Sequence, residues 1–287
     1  MSVGSIIEQT TRIAIPFLFA ASGGALAERA GVVSFALEGY MLTGAFTAVV
    51  GTSLTGSPWV GLACGIAGGL LLGSLHALGS IRFRANQIVM GIALNLLAIG
   101  STRLFLKLVF KSSSNSSRVV GFGEGASPSN PLLWMGLAAI PAVAWVIART
   151  PFGLRVRAVG EHPDAAESVG VPVARVRTAA VLASSGLAAL GGVYLALDQH
   201  QFTDSMTAGR GFTALAAVIL GGWRAPWAGL ACIVFAAAEA LSIQLQGLQV
   251  LPSQLLGMLP QLLTILVLLG RIGELVTRSG PPSALGR

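Results

Sequence analysis

Apolar residues along this chain run in long blocks, and nine stand out, at about 9–27, 32–52, 58–78, 87–108, 131–148, 177–197, 209–222, 226–246 and 253–270. Most approach the roughly 20 residues that an α-helix needs to cross the hydrocarbon core of a bilayer. The pattern predicts an all-α, polytopic membrane protein of about nine transmembrane helices. Two polar stretches interrupt it: KSSSNSSRVVGFGEGASPSN at 111–130, and TPFGLRVRAVGEHPDAAESVGVP at 150–172. Block one carries Glu8 and Arg12, and block seven is short, so these two spans are either complete or re-entrant.

Composition sharpens this picture. Of 287 residues, 54% are hydrophobic and only 10% charged, where soluble domains run nearer a quarter, and the mean hydropathy is +0.78. The net charge of +7 is therefore no sign of a nucleic-acid partner. Arginines in short loops set membrane orientation instead. Arg149, Arg155, Arg157, Arg175 and Arg177 put the second polar stretch in the cytoplasm. Arg29, Arg82, Arg84, Arg224, Arg271, Arg278 and Arg287 then fall on the same side, so that twelve of the eighteen basic residues lie inside. The loop 111–130 falls outside, with the N-terminus outside and the C-terminus inside. Block one has no basic n-region or clear cleavage site, which reads as a retained span. The 37 glycines suit close helix packing in lipid.

An internal repeat organises the blocks. PWVGLAC at 58–64 returns as PWAGLAC at 226–232, with six of seven positions identical. AASGGALA (20–27) resembles LASSGLAA (182–189), AGVVSFALEGYMLTGA (30–45) resembles AGRGFTALAAVILGGW (208–223), and NQIVMGIALNLLAI (86–99) resembles SQLLGMLPQLLTI (253–265). The basic pair Arg82 and Arg84 follows the first Pro-Trp helix, while Arg224 precedes the second, so the copies are expected to cross the membrane in opposite directions. This divides a single transmembrane domain into a first repeat (1–110), an extracytoplasmic loop (111–130), a connector helix (131–149), a cytoplasmic loop (150–176), a second repeat (177–270) and a cytoplasmic tail (271–287). Inverted repeats of this kind put a pathway at their interface.

Few residues carry chemistry. Cys64 and Cys232 sit at equivalent repeat positions inside spans and read as small packing residues. The two lysines, Lys107 and Lys111, follow no phosphate-cradling pattern, so no nucleotide hydrolysis is expected in this chain. The intramembrane candidates for ion coupling, Glu38, Glu239 and His76, lack an evident partner in their own spans. His76, His162 and His200 form no ligand motif, and no metal site or enzyme is expected. In the cytoplasmic stretch, Asp164–Val169 reads as a short helix with Pro163 at its first position, an acid in its first turn and Gly170 at its stop.

Asp164-Ala165-Ala166 followed by Gly170 resembles the EAA-x-x-x-G coupling motif of ABC importer permeases, with Asp in place of the leading Glu. ERAGVVSFALEGYMLTGAF, FRANQIVMGIALNLLAIGSTRLF, TPFGLRVRAVGEHPDAAESVGV and TAGRGFTALAAVILGGW are similar to signature blocks of bacterial nucleoside and simple-sugar ABC permeases, relatives of the ribose and branched-chain amino acid permeases. The likeness covers roughly 12–270. It implies the vitamin B12-type importer permease fold, two inverted four-helix repeats joined by a connector. It also implies a place in the bacterial inner membrane, and a cytoplasmic ATPase partner that uses ATP and Mg, with no cofactor in this chain. Further partners would be a second, related permease subunit (a heterodimer), an extracytoplasmic substrate-binding lipoprotein, and membrane lipid. On this reading Gly160, Glu161, Asp164, Ala165, Ala166 and Gly170 couple to the ATPase through a 158–171 helix. Glu38, Asn95, its repeat counterpart Gln261, and Phe212 line the route of a polar, uncharged solute. A branched-chain amino acid or sugar permease would share these features. A different class, an inverted-repeat channel or ion-coupled transporter, would need no ATPase.

Overall fold

A computed structural model describes residues 3–123, 129–247 and 280–286. Ten α-helices make up the described chain: α1 (Val3–Arg29), α2 (Leu37–Thr55), α3 (Pro58–Ala77), α4 (Gln87–Phe110), α5 (Pro131–Arg149), α6 (Pro151–Glu161), α7 (Pro163–Ser168), α8 (Val173–Asp198), α9 (Arg210–Leu220) and α10 (Ala225–Gly247). Several starts follow local chemistry. Asn86 caps α4 by accepting from the Ile88 and Val89 amides, Asn130 caps α5 by accepting from Leu132, and Thr150 caps α6 by accepting from Gly153. Proline stands in the first turn of α3, α5, α6 and α7, where its missing N–H costs nothing. A wide turn at Leu78–Arg82 extends α3, and the Ser80 hydroxyl donates to the His76 carbonyl there at 2.7 Å.

Helix α8 lies at the centre of the bundle, against α1, α2 and α3. Glycines at every fourth position of α3 make one of these contacts possible. A Cβ on Gly65 would meet Val193, one on Gly69 Ala189, and one on Gly73 Ser185. That register runs α3 antiparallel to α8. The pairs Arg12–Asp198 and Gly23–Ser184 set α1 antiparallel to α8 as well. In turn α10 is antiparallel to α1, with Cys232 3.6 Å from the Phe17 carbonyl and Gln244 3.3 Å from Gln9. The two helices that begin at Pro-Trp therefore run in opposite directions. Where hydrophobic burial cannot drive helix association, close backbone approach does, and small residues permit it.

Among the described residues, six helices are long and apolar enough to cross a membrane: Gly4–Arg29, Pro58–Arg82, Gln87–Phe110, Pro131–Arg149, Val173–Asp198 and Ala225–Gln246. The expected nine spans are met differently. Block two becomes α2, 19 residues long but polar enough to carry Glu38 and several threonines, because most of it is buried among other helices instead of facing lipid. Block seven becomes α9, whose 11 residues reach only about 16 Å, half a bilayer. Block nine lies outside the described residues. Elsewhere the outer faces carry exposed Leu71, Leu96, Leu97, Leu104, Leu108, Trp134 and Leu230, a liability in water and a requirement in hydrocarbon.

Opposite the α6–α7 side, the polar stretch after α4 folds over the segment after α8. Ser116 donates its amide to the Phe202 carbonyl at 2.9 Å, Val119 to His200 at 2.8 Å, and Asp204 to Ser114 at 2.8 Å. One antiparallel bridge, Asn115–Thr203, is the extent of β-structure among the described residues.

Candidate functional site: the interrupted helices and the α6–α7 elbow

Two stretches of irregular backbone enter the bundle, at 30–36 before α2 and at 199–209 before α9. Both turn on a left-handed glycine, Gly31 at φ +82° and Gly209 at φ +83°, conformations that cost a side-chain-bearing residue. Irregular backbone at membrane depth must have its polar groups paired inside the protein. For the first break, α4 does much of this along one face. The Gln87 Oε1 accepts from the Val33 amide at 2.7 Å. The Asn95 Nδ2 donates to the Phe35 carbonyl at 2.8 Å, and its Oδ1 accepts from the Gly39 amide at 2.8 Å. Gly91, between them, lets α4 approach Phe35. From α1, Glu28 accepts from the Ser34 amide at 3.2 Å and from the Trp223 indole N–H at 2.6 Å.

Glu38 does the same for the second break. Its Oε1 accepts from the Thr207 hydroxyl at 2.5 Å and the Gly209 amide at 2.9 Å, and its Oε2 from the Gly211 amide at 2.7 Å. The carboxylate thus sits at the N-terminus of α9, where the helix dipole favours negative charge. The next residue along, Arg210, reaches the other way and pairs with Glu239 of α10 at 2.9 Å. A polar chain results, from Asn95 on α4 through Glu38 on α2 and Arg210 on α9 to Glu239 on α10. His76 is buried in the same bundle, its Nδ1 sharing a hydrogen bond with the Tyr40 hydroxyl.

The residues expected on a solute route divide accordingly. Asn95 and Glu38 have their polar atoms engaged on backbone, Phe212 is 45% exposed on the first turn of α9, and Gln261 lies outside the described residues. Glu239 has no cation in its own span; its partner Arg210 stands in the neighbouring block, where the sequence already offered a positive charge. Thr207, Gly209 and Gly211 carried no such signal, since only folding brings them to Glu38.

On the α6–α7 side, the expected single helix over 158–171 is two. His162 leaves the helical region (φ −139°, ψ 81°), as a residue before proline tends to. The stretch from Pro151 is itself helical, a start that Thr150-Pro151 announced. Gly160 is buried so tightly that a Cβ would collide with the Arg29 carbonyl. Glu161 lies 3.9 Å from the Arg29 guanidinium. Ala166 is buried, whereas Asp164, Ala165, Glu167 and Val169 are exposed, and Gly170 closes α7 at φ +83° with its amide donating to the Glu167 carbonyl.

Apolar helices with exposed apolar outer faces, two helix starts set inside the bundle and a short helical elbow at one end define a multi-pass membrane protein. Its sequence matches the family model described as the branched-chain amino acid transport system/permease component over residues 6–268, and the chain belongs to that family. Among its relatives, the guanosine ABC transporter permease protein NupQ of Bacillus subtilis (strain 168) is 36% identical, over 98% of this chain and 95% of its own length. The nucleoside ABC transporter permease protein NupC of Lactococcus lactis subsp. cremoris is 35% identical over 91% and 90%, respectively. The putative glucose ABC transporter permease protein TsgC13 of Haloferax volcanii is 33% identical over 85% and 78%.

Proposed function

We propose that this chain is a membrane-spanning subunit of an ATP-driven ABC importer for nucleosides. The observation that carries the reading is the likeness to a guanosine permease across 98% of the chain, at 36% identity. A nucleoside is polar and uncharged, so its route needs hydrogen-bonding groups and apolar or aromatic faces instead of a fixed ion site. That agrees with a bundle whose carboxylates at Glu38 and Glu239 are already satisfied by protein groups.

The elbow α6–α7 faces the cytoplasm and docks a separate ATPase, with Asp164, Ala165 and the Gly170 turn at the contact. ATP binding and hydrolysis belong to that partner. A related permease subunit completes the transmembrane pair as a heterodimer, and an extracytoplasmic lipoprotein delivers the solute to the side of 111–123. The N-terminus then lies outside, in the vitamin B12-type arrangement of inverted repeats. The opposed directions of α3 and α10 support that arrangement.

The test is uptake of labelled guanosine into proteoliposomes holding this chain with its ATPase and sister permease. ATP-dependent accumulation, competed by other nucleosides and not by glucose, is expected. Accumulation competed by glucose would favour the sugar reading that the Haloferax volcanii relative raises. Transport by this chain alone, without ATPase, would overturn the importer.

A further inference from the structure

Beyond the helices, one short segment of the chain is seated against the elbow. Residues 282–285 form a turn closed by the Leu285 amide on the Pro282 carbonyl at 3.0 Å. Ala284, 1% exposed, donates its amide to the Gly160 carbonyl at 3.0 Å. Ser283 donates its hydroxyl to the Glu161 carbonyl and its amide to the Glu161 carboxylate at 3.4 Å. These are terminal carbonyls of α6, which a helix leaves unpaired at its C-terminal end. The opposite edge of the turn reaches the α1–α2 connection. The Ala284 carbonyl lies 3.2 Å from where a Cβ on Gly31 would stand, and Gly286 lies beside Val33. The Arg177 Nε of α8 donates to the Ala30 carbonyl at the same place, at 3.2 Å.

The segment therefore joins two pieces of backbone that also meet where Gly160 packs on Arg29 and Ala30 and at the long Arg29–Glu161 ion pair. We infer that Ser283 and Ala284 are positioning residues for coupling, a strap fastening the C-terminal end of α6 to the α1–α2 connection. Force applied to α7 then moves α1 and α2 instead of bending the break at His162. The same geometry occupies Gly160 and Glu161 with contacts inside the chain and leaves Asp164, Ala165 and Val169 as the face open to a partner. This inference rests on the importer reading above.

Two variants test it in the assembled complex, one lacking residues 280–287 and one carrying Ala284→Glu. Both are expected to co-purify with the ATPase as wild type does. Nucleoside uptake should fall about 5-fold or more, the lower end of the range for coupling between sites. ATP hydrolysed per nucleoside taken up should rise, a ratio that a loss of folded protein would not move. Wild-type uptake and stoichiometry in both variants would overturn the strap, and so would loss of ATPase co-purification, which would make the segment part of the docking face. Independently, Glu161→Cys with Ser283→Cys, in a background free of Cys64 and Cys232, should form a disulfide in native membranes. Failure to cross-link would refute the contact. If the wild-type chain brings down no ATPase, the importer reading fails, and the cross-link still reports on the contact.

Discussion

Gly160 and Glu38 show what single positions do in this bundle. A methyl group at Gly160 would have to displace the Arg29 carbonyl, which belongs to a helix end that cannot easily move. Gly160→Ala is expected to lower stability by about 1–3 kcal/mol, the cost of overpacking, read as a drop in thermal unfolding temperature in detergent. Glu38 carries three donated hydrogen bonds on two oxygens. Glu38→Gln keeps one acceptor oxygen and strands a buried N–H, which costs about 1–3 kcal/mol; Glu38→Asp, which keeps the charge on a shorter arm, should cost less. Equal stability of the Gln variant and wild type would show that the clasp contributes nothing. The sequence singles out Gly160 for coupling by resemblance, but its packing against Arg29 is visible only in the fold. The part played by Glu38 was not legible, since its three donors lie about 170 residues further along the chain.

At the scale of elements, α9 and α7 are short helices, and each depends on groups outside itself. Arg210 at the start of α9 is partly buried with Glu239, both side chains near one-fifth exposed. Removing one partner leaves the other charge in a poor environment. Arg210→Met alone should destabilise by about 2–3 kcal/mol, somewhat below the range for fully buried pairs, whereas Arg210→Met with Glu239→Leu should recover much of that loss. Additive losses in this double-mutant cycle would mean that the pair is uncoupled. For α7, Gly170 holds a left-handed turn whose amide is bonded to Glu167. Gly170→Pro removes that donor and cannot adopt the φ, and Asp164→Arg reverses the charge on the exposed face. Both are expected to abolish uptake with normal amounts of protein in the membrane, checked by transport and immunoblot together. Helix α7 was readable from Pro163, Asp164 and Gly170 as a local pattern. The expected 158–171 helix runs across His162, where the fold breaks it into the end of α6 and all of α7 because Pro163 turns the preceding residue out of the helical region.

For the whole molecule, the expected orientation puts 111–123 and α7 on opposite faces of the membrane. In a background without Cys64 and Cys232, Ser117→Cys should react with an impermeant maleimide in intact cells, and Ser168→Cys only after permeabilisation; both positions are exposed. The reverse pattern would invert the topology. The amino-acid sequence by itself determined the membrane class, most of the spans, the Pro-Trp repeat and the polar elbow. Each follows from local composition, because a helix that crosses hydrocarbon must be long, apolar and internally paired along its backbone. Tertiary structure alone decided that α2 is a buried helix and α9 a half-length one. It also decided that Asn95 and Glu38 serve backbone at the two breaks, that Arg210 meets Glu239, and that 282–286 lies across Gly31 and Gly160. Those outcomes depend on which buried donors and acceptors meet across the bundle, and residues far apart in the chain meet only when it folds.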